Sequence, residues 1–276
     1  MPKLPKEYTF LDLSDYGRTG GHWIANQLKN TRFTPIHVTT LFVFAGLFAV
    51  LCMLNGYYKA AAFLIILKSV IDAADGELSR LNKKPSYTGR YYDSIADIIL
   101  NFCFLLTFWH ITNGSIIYML IAFFGIQLQG TVYNYYYVIL RNAVEGDSTS
   151  RVFEDAAPKA LKGESQRTVN IFYKIYDILY ITFDKIMYHM DKNASDSPPF
   201  PKWFMTLVSM YGLGFQLLFM AFMLALNLHE FVIPFFIGYS ALIVVFVGLR
   251  KLILKPLCSV CYFCNSSNGF VHIFIG

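Results

Sequence analysis

The sequence predicts an all-α integral membrane protein with six transmembrane helices, an N-terminal interfacial segment and a long cytosolic loop containing an amphipathic helix. Three observations carry that prediction. Hydrophobic residues make up 55% of the chain and charged residues only 15%, too apolar a balance for an ordinary soluble domain. Several runs near twenty residues carry few charges, the length needed to cross a bilayer. Lys and Arg gather in the connections on one side, as membrane topology demands. The net charge of +5 follows from that distribution, and a nucleic-acid partner is not expected.

In chain order, residues 1–34 mix aromatic and charged positions: Tyr8, Phe10, Leu11, Leu13, Tyr16, Trp23 and Ile24, interrupted by Gly20 and Gly21. They read as an interfacial segment of two short helices, or as a partly ordered cytosolic arm. MPKLPKEYTF lacks the apolar core of a signal peptide, so the first span is expected to direct insertion. The spans are expected at 35–55, opening on Pro35, then 59–81, 91–112, 115–140, 203–227 and 231–250. A helix of ~22 residues is ~33 Å long and covers the hydrocarbon core. Short connections near 56, 113 and 228 make neighbouring spans antiparallel.

The connection at 142–202 begins polar and irregular. From 168 to 191, Ile171, Phe172, Ile175, Ile178, Leu179, Phe183, Ile186 and Met187 recur at helical spacing with Lys174, Asp177, Asp184 and Lys185 between them. That pattern predicts an amphipathic helix on the cytosolic surface, ended by the prolines at 198, 199 and 201. The division is therefore 1–34 as the N-terminal segment, 35–255 as the six-helix membrane domain and 256–276 as a cytosolic tail. Lys3, Lys6, Arg18, Lys29 and Arg32, the turn with Arg80, Lys83, Lys84 and Arg90, and Arg250, Lys251 and Lys255 share one side, with Lys59 alone opposite. Both termini are accordingly expected in the cytosol.

Between the second and third spans runs DAADGELSRLNKKPSYTGRYYDSIAD, with Asp72, Asp75, Asp93 and Asp97. Positions three or four apart share a helix face, so Asp72, Asp75, Gly76, Ser79 and Arg80 line one helix, and Asp93 and Asp97 line the next. A turn holding Pro85 and Gly89 folds the two helices antiparallel and lets the four carboxylates converge. Such a cluster is costly near a bilayer without cations, roughly 2.5–3.5 kcal/mol for each Asp at the membrane centre. Oxygen-only ligands without nearby Cys or His favour Mg²⁺ or Mn²⁺, and a pair of ions suits in-line phosphoryl displacement. Gly76 permits close approach of a ligand, and Arg80 offers a planar fork to a phosphate oxygen.

The pattern Asp72-x2-Asp75-Gly76-x2-Ser79-Arg80-x8-Gly89-x3-Asp93-x3-Asp97 resembles the signature of the CDP-alcohol phosphotransferases in every spacing. Ser79 departs from it, standing where the family usually has Ala. Seven fixed Asp, Gly and Arg positions would match by chance on the order of once per billion starts.

The resemblance implies a CDP-linked alcohol donor whose pyrophosphate lies on two metal ions held by Asp72, Asp75 and Asp93, with Asp97 as a further ligand or neighbour. It implies Asp97 as general base toward the acceptor hydroxyl, and CMP as leaving group. Gly76, Ser79, Arg80 and Ser86 would hold the nucleotide, as would the start of the first span at Thr34 and Pro35, where Ile36 replaces the Asn that often follows the proline. Homodimers are common in the family. Two donor classes fit: CDP-diacylglycerol with a small polar acceptor, favoured here by the lone motif domain and modest length, or CDP-choline or CDP-ethanolamine with a diacylglycerol-like lipid. A cation transporter is the competing class, but it calls for carboxylates spread through the membrane depth, and here all four lie at one end.

Other positions carry weaker signals. Lys68 lies one turn before Asp72 and either pairs with it or meets a phosphate. Gln127, Gln129, Tyr133, Asn134 and Tyr135 in the fourth span serve helix packing or line an acceptor pocket, and Arg141 and Arg151 suit a phosphorylated acceptor. His110 and His189 lack a partner pattern. Cys52 and Cys103 are read as core residues. Cys258, Cys261 and Cys264 have zinc-like spacing without a fourth ligand. Asn113-Gly-Ser fits a glycosylation sequon on the non-cytosolic side.

Overall fold

A computed structural model describes residues 4–144 and 156–253. Arg151, Cys258, Cys261, Cys264 and the tail assigned to 256–276 lie outside the described residues. All regular structure within them is helical. After a single 3-10 turn at Lys6–Tyr8 come α1 (Arg18–Leu28), α2 (Pro35–Leu54), α3 (Tyr58–Leu81), α4 (Tyr87–Thr112) and α5 (Ile116–Ala143). They are followed by α6 (Gln166–Met190), α7 (Lys202–Ser209), α8 (Leu213–Ala225), α9 (Val232–Ser240) and α10 (Leu242–Ile253).

Local chemistry explains the starts of the helices that matter here. Thr34 caps α2: its hydroxyl accepts from the His37 N–H, while His37 Nδ1 accepts from the Thr34 N–H at 3.1 Å. Pro35 at the first helical position lacks the N–H that would otherwise go unpaired. Ser86 caps α4 by accepting from the Gly89 N–H at 2.8 Å. Asn113, in the left-handed region at φ 51°, ends α4 and turns the chain into α5.

Among the described residues, α2, α4, α5 and the stretch His229–Ile253 are long and apolar enough to cross a membrane, and α7 with α8 forms a fifth candidate bent by 46°. The second expected span, α3, has 24 residues but carries Lys59, Lys68, Asp72, Asp75, Glu77 and Arg80, so composition alone does not qualify it. Leu41, Phe44, Phe48 and Leu51 on α2, Ile117, Leu120 and Ile121 on α5, and Val244 and Val245 on α10 are exposed. So much apolar surface facing outward is consistent with an integral membrane protein.

Helix α3 sits centrally, packed against α1, α2 and α8, while α4 packs against α2, α5 and α6. The interior between α2, α3 and α4 is filled by Phe42, Ile65, Leu78, Leu100 and Phe104.

Two expectations change. Gly20 and Gly21 do not break the N-terminal segment; both lie inside α1. A Cβ on Gly21 would come within 2.8 Å of the Ala73 backbone, and one on Gly20 within 2.8 Å of Val70. The glycines are the contact face that lets α1 lie against α3, set against the roughly 1 kcal/mol that each costs in helix propensity. The second change concerns α6, which is amphipathic but not simply laid on a surface. Val169, Phe183 and Met187 are buried, and the Tyr180 hydroxyl donates to the Ser94 carbonyl of α4 at 2.7 Å. Ile171, Ile175 and Ile178 form a separate exposed stripe.

The bend between α7 and α8 is met by a segment distant in sequence. There the Leu13 N–H donates to the Ser209 hydroxyl at 3.0 Å, and Ser14 lies against Gly212 and Gly214. Asp12 accepts from the Tyr133 hydroxyl of α5 at 2.5 Å. The N-terminal arm therefore occupies the break.

Candidate metal centre

Helices α3 and α4 run antiparallel through a short turn, which sets the depth of each acid. Asp75 and Asp93 lie ~9 Å along the axis from the turn ends of their helices, Asp72 ~14 Å and Asp97 ~15 Å, at 1.5 Å per residue. The acids therefore form layers rather than one ring: Asp75 with Asp93 nearer the turn, and Asp72 and Asp97 about one turn deeper.

One ligand oxygen from each of Asp72, Asp75 and Asp93 lies within 4.8 Å of the others, a spacing able to hold a metal ion. Asp93 Oδ1 is buried and has no hydrogen-bond partner in the structure. A buried carboxylate oxygen in that condition is costly, and a hard cation satisfies it. The donor set is all oxygen, which suits Mg²⁺ or Mn²⁺. The residues present thus fit a divalent ion.

The acids differ in their partners. Asp75, 7% exposed, accepts from the Thr39 hydroxyl of α2 at 2.6 Å. Lys68, 1% exposed, donates to Asp72 Oδ2 at 2.7 Å and to Asp97 Oδ1 at 2.5 Å. Of the two readings of Lys68, pairing with Asp72 is the one seen, and the second bond to Asp97 joins α3 to α4. Asp97 is not among the three converging ligands.

The positions matched to nucleotide binding are placed around the rim. Arg80 donates through Nε and Nη2 to Glu77 Oε2 at 3.0 and 2.5 Å, and Glu77 also meets His22 Nδ1 at 3.0 Å. The Ser79 hydroxyl donates to the Lys84 carbonyl in the turn at 3.1 Å. A Cβ on Gly76 would come no closer than 3.4 Å to its nearest neighbour, Arg80, so nothing among the described residues requires glycine there. Thr34 and Pro35 are engaged in starting α2.

Glu164, ahead of α6, is the residue with no sequence signal. Its carboxylate accepts from the Ser86 hydroxyl at 2.8 Å, the Thr88 N–H at 2.8 Å and the Tyr87 N–H at 3.2 Å. It therefore occupies the N-terminus of α4, where free N–H groups and the helix dipole favour an anion. Partial burial works against its charge, and these hydrogen bonds outweigh that effect, so its carboxyl sits below its ordinary value of 4.5.

In α5, Gln129 donates to the Ser240 hydroxyl at 2.9 Å and accepts from Gln216 at 3.1 Å, tying α5 to α8 and α9. Tyr135 donates to the Asp191 carbonyl at 2.8 Å. These two side chains serve packing. Arg141 is buried near the Tyr137 ring, 5.8 Å from its centre.

No curated protein matches the chain. Residues 32–152 match the family model described as CDP-alcohol phosphatidyltransferase, a transferase family. The matched stretch holds α2 to α5 and all four aspartates, and over it the chain is similar to the CDP-alcohol phosphatidyltransferase family.

Proposed function

We propose that the protein transfers a phosphatidyl group from CDP-diacylglycerol to the hydroxyl of a small polar alcohol, releasing CMP. The observation that carries this reading is the convergence of Asp72, Asp75 and Asp93, with one buried carboxylate oxygen lacking a partner, inside the family-matched stretch.

In this reading Asp72, Asp75 and Asp93 hold a pair of Mg²⁺ or Mn²⁺ ions, and Thr39 orients Asp75 through its hydroxyl. When bound, the ions draw charge from the donor pyrophosphate and from the leaving CMP oxygen. Gly76 leaves room for the donor, and Arg80 turns from Glu77 toward a phosphate oxygen. Ser79, Ser86, Thr34 and Pro35 border the cytidine end. Asp97 accepts the proton of the acceptor hydroxyl. That oxygen then bonds to the phosphorus bearing the diacylglycerol, and the bond from the same phosphorus to CMP breaks, its electron pair leaving with CMP.

Six membrane crossings, counting α3, put the turn between α3 and α4 and both termini on the cytosolic side, with α6 beside the site. A homodimer in the membrane completes the expected assembly.

Purified protein in detergent, given Mg²⁺ and each donor class, tests the reading. CMP release with CDP-diacylglycerol and an inositol, serine or glycerol-phosphate acceptor supports it. Release only with CDP-choline or CDP-ethanolamine and diacylglycerol moves the assignment to the other donor class. No CMP with any pair rejects the transferase reading.

A further inference from the structure

The four aspartates carry one motif, yet the structure divides them. Lys68 is the divider. Its ammonium lies between Asp72 of its own helix and Asp97 of α4, with the ring of Phe42 from α2 4.3 Å from the nitrogen. The side chain is almost wholly enclosed at 1% exposure, so this position is built into the packing of three helices. Asp72 is the only acid it shares with the converging triad.

We propose that Lys68 is a positioning residue that acts as a built-in cation, holding Asp97 apart from the metal ions so that Asp97 meets substrate and not metal. The proposal rests on the reading of Asp72, Asp75 and Asp93 as the metal ligands. Like charges repel across a short distance in a dry site, so a divalent ion keeps away from the ammonium; of the two acids against it, Asp72 alone also offers an oxygen to the converging group, and Asp97 stays with Lys68. The ammonium also cancels one of four clustered carboxylate charges, where a further metal ion would otherwise be needed. A lysine takes up no open coordination sphere, so Asp97 keeps its second oxygen for a proton from the acceptor. The layering agrees: Asp75 and Asp93 are nearer the turn, Lys68 and Asp97 deeper, and Asp72 joins the two sets.

The test counts Mn²⁺ bound to the full chain in detergent by electron paramagnetic resonance, without any donor. With Lys68 intact, D97N leaves Mn²⁺ affinity unchanged, while D93N weakens it about tenfold or more. In a K68M background Asp97 is released to the ions, so adding D97N now weakens Mn²⁺ binding. In turnover, K68M lowers kcat roughly a hundredfold with donor KM little changed, and K68R restores part of kcat. D97N weakening Mn²⁺ binding as much as D93N, with Lys68 present, overturns the proposal. That comparison needs no Lys68 variant and still decides if K68M fails to fold. The expected Mn²⁺ pattern without CMP release from any donor keeps this inference and rejects the function proposed above.

Discussion

The Thr39 hydroxyl donates to Asp75 at 2.6 Å, so α2 places a hydrogen bond behind an acid carried by α3. A ligand carboxylate held in this way cannot rotate freely, and its free oxygen is aimed before the ion arrives. Thr39→Val keeps the shape and removes the donor. It should weaken Mn²⁺ binding about tenfold, while Thr39→Ser stays near wild type. Equal binding by all three proteins, measured by titration calorimetry, would remove Thr39 from the site.

Metal removal should silence the protein reversibly. After exhaustive chelation CMP release should be lost, and Mg²⁺ or Mn²⁺ should restore it. Asp97→Asn should lower kcat by about 10²–10⁴ and leave nucleotide binding largely intact. Full turnover in that variant would end its assignment as base.

Glu164 gives the structure a pH dependence whose sign is fixed. Its carboxyl is lowered on folding, so the stabilisation is fully present above the ordinary value of 4.5 and is lost as pH falls through the lower folded value. Protection of the Tyr87 and Thr88 amide protons, corrected for intrinsic exchange, should hold at neutral pH and fall once the pH drops through the lowered value, below 4.5. In Glu164→Gln that dependence should vanish. Protection that still falls in the variant would assign the effect to another group.

The α1 glycines predict opposite outcomes at two positions. Gly21→Ala should lower the unfolding temperature, because overpacking costs about 1–3 kcal/mol and exceeds the helix-propensity gain of about 1 kcal/mol. At Gly130 in α5 an added Cβ would meet nothing within 4 Å, so Ala there should be neutral or stabilising by about 0.4–1 kcal/mol. Thermal unfolding in one detergent compares them directly, and destabilisation at Gly130 alone would contradict the packing.

Much of this arrangement was legible in the sequence because it is local. Acids three and four residues apart on two helices joined by a short turn must face one another, and Thr34-Pro35 announces a helix start. The pairing of Lys68 with Asp72 is local in the same sense. Its bond to Asp97 crosses to another helix and depends on the register of α3 against α4. Glu164 lies 78 residues from Ser86, and no periodicity connects them. Gly20 and Gly21 were read by their backbone freedom, whereas their use is the space they leave for Ala73 and Val70. The repeat in α6 foretold a helix of the right length, but periodicity cannot say which apolar residues meet α4 and which stay outside. The bend after Ser209 had no proline to announce it, since its cause is a segment near the other end of the chain.

That segment sets an order on biosynthesis. Leu13 and the hydroxyl it binds on Ser209 are 196 residues apart. At a ribosomal rate of about 5–20 residues per second, the arm waits roughly 10–40 s for its docking place to be made. Helices α2 to α5, with all four acids, have emerged by then. The arm thus closes only after α2 to α7 have been made, as a latch on helices that are already present, and a bulky fusion placed just before it should trap an unlatched intermediate during synthesis.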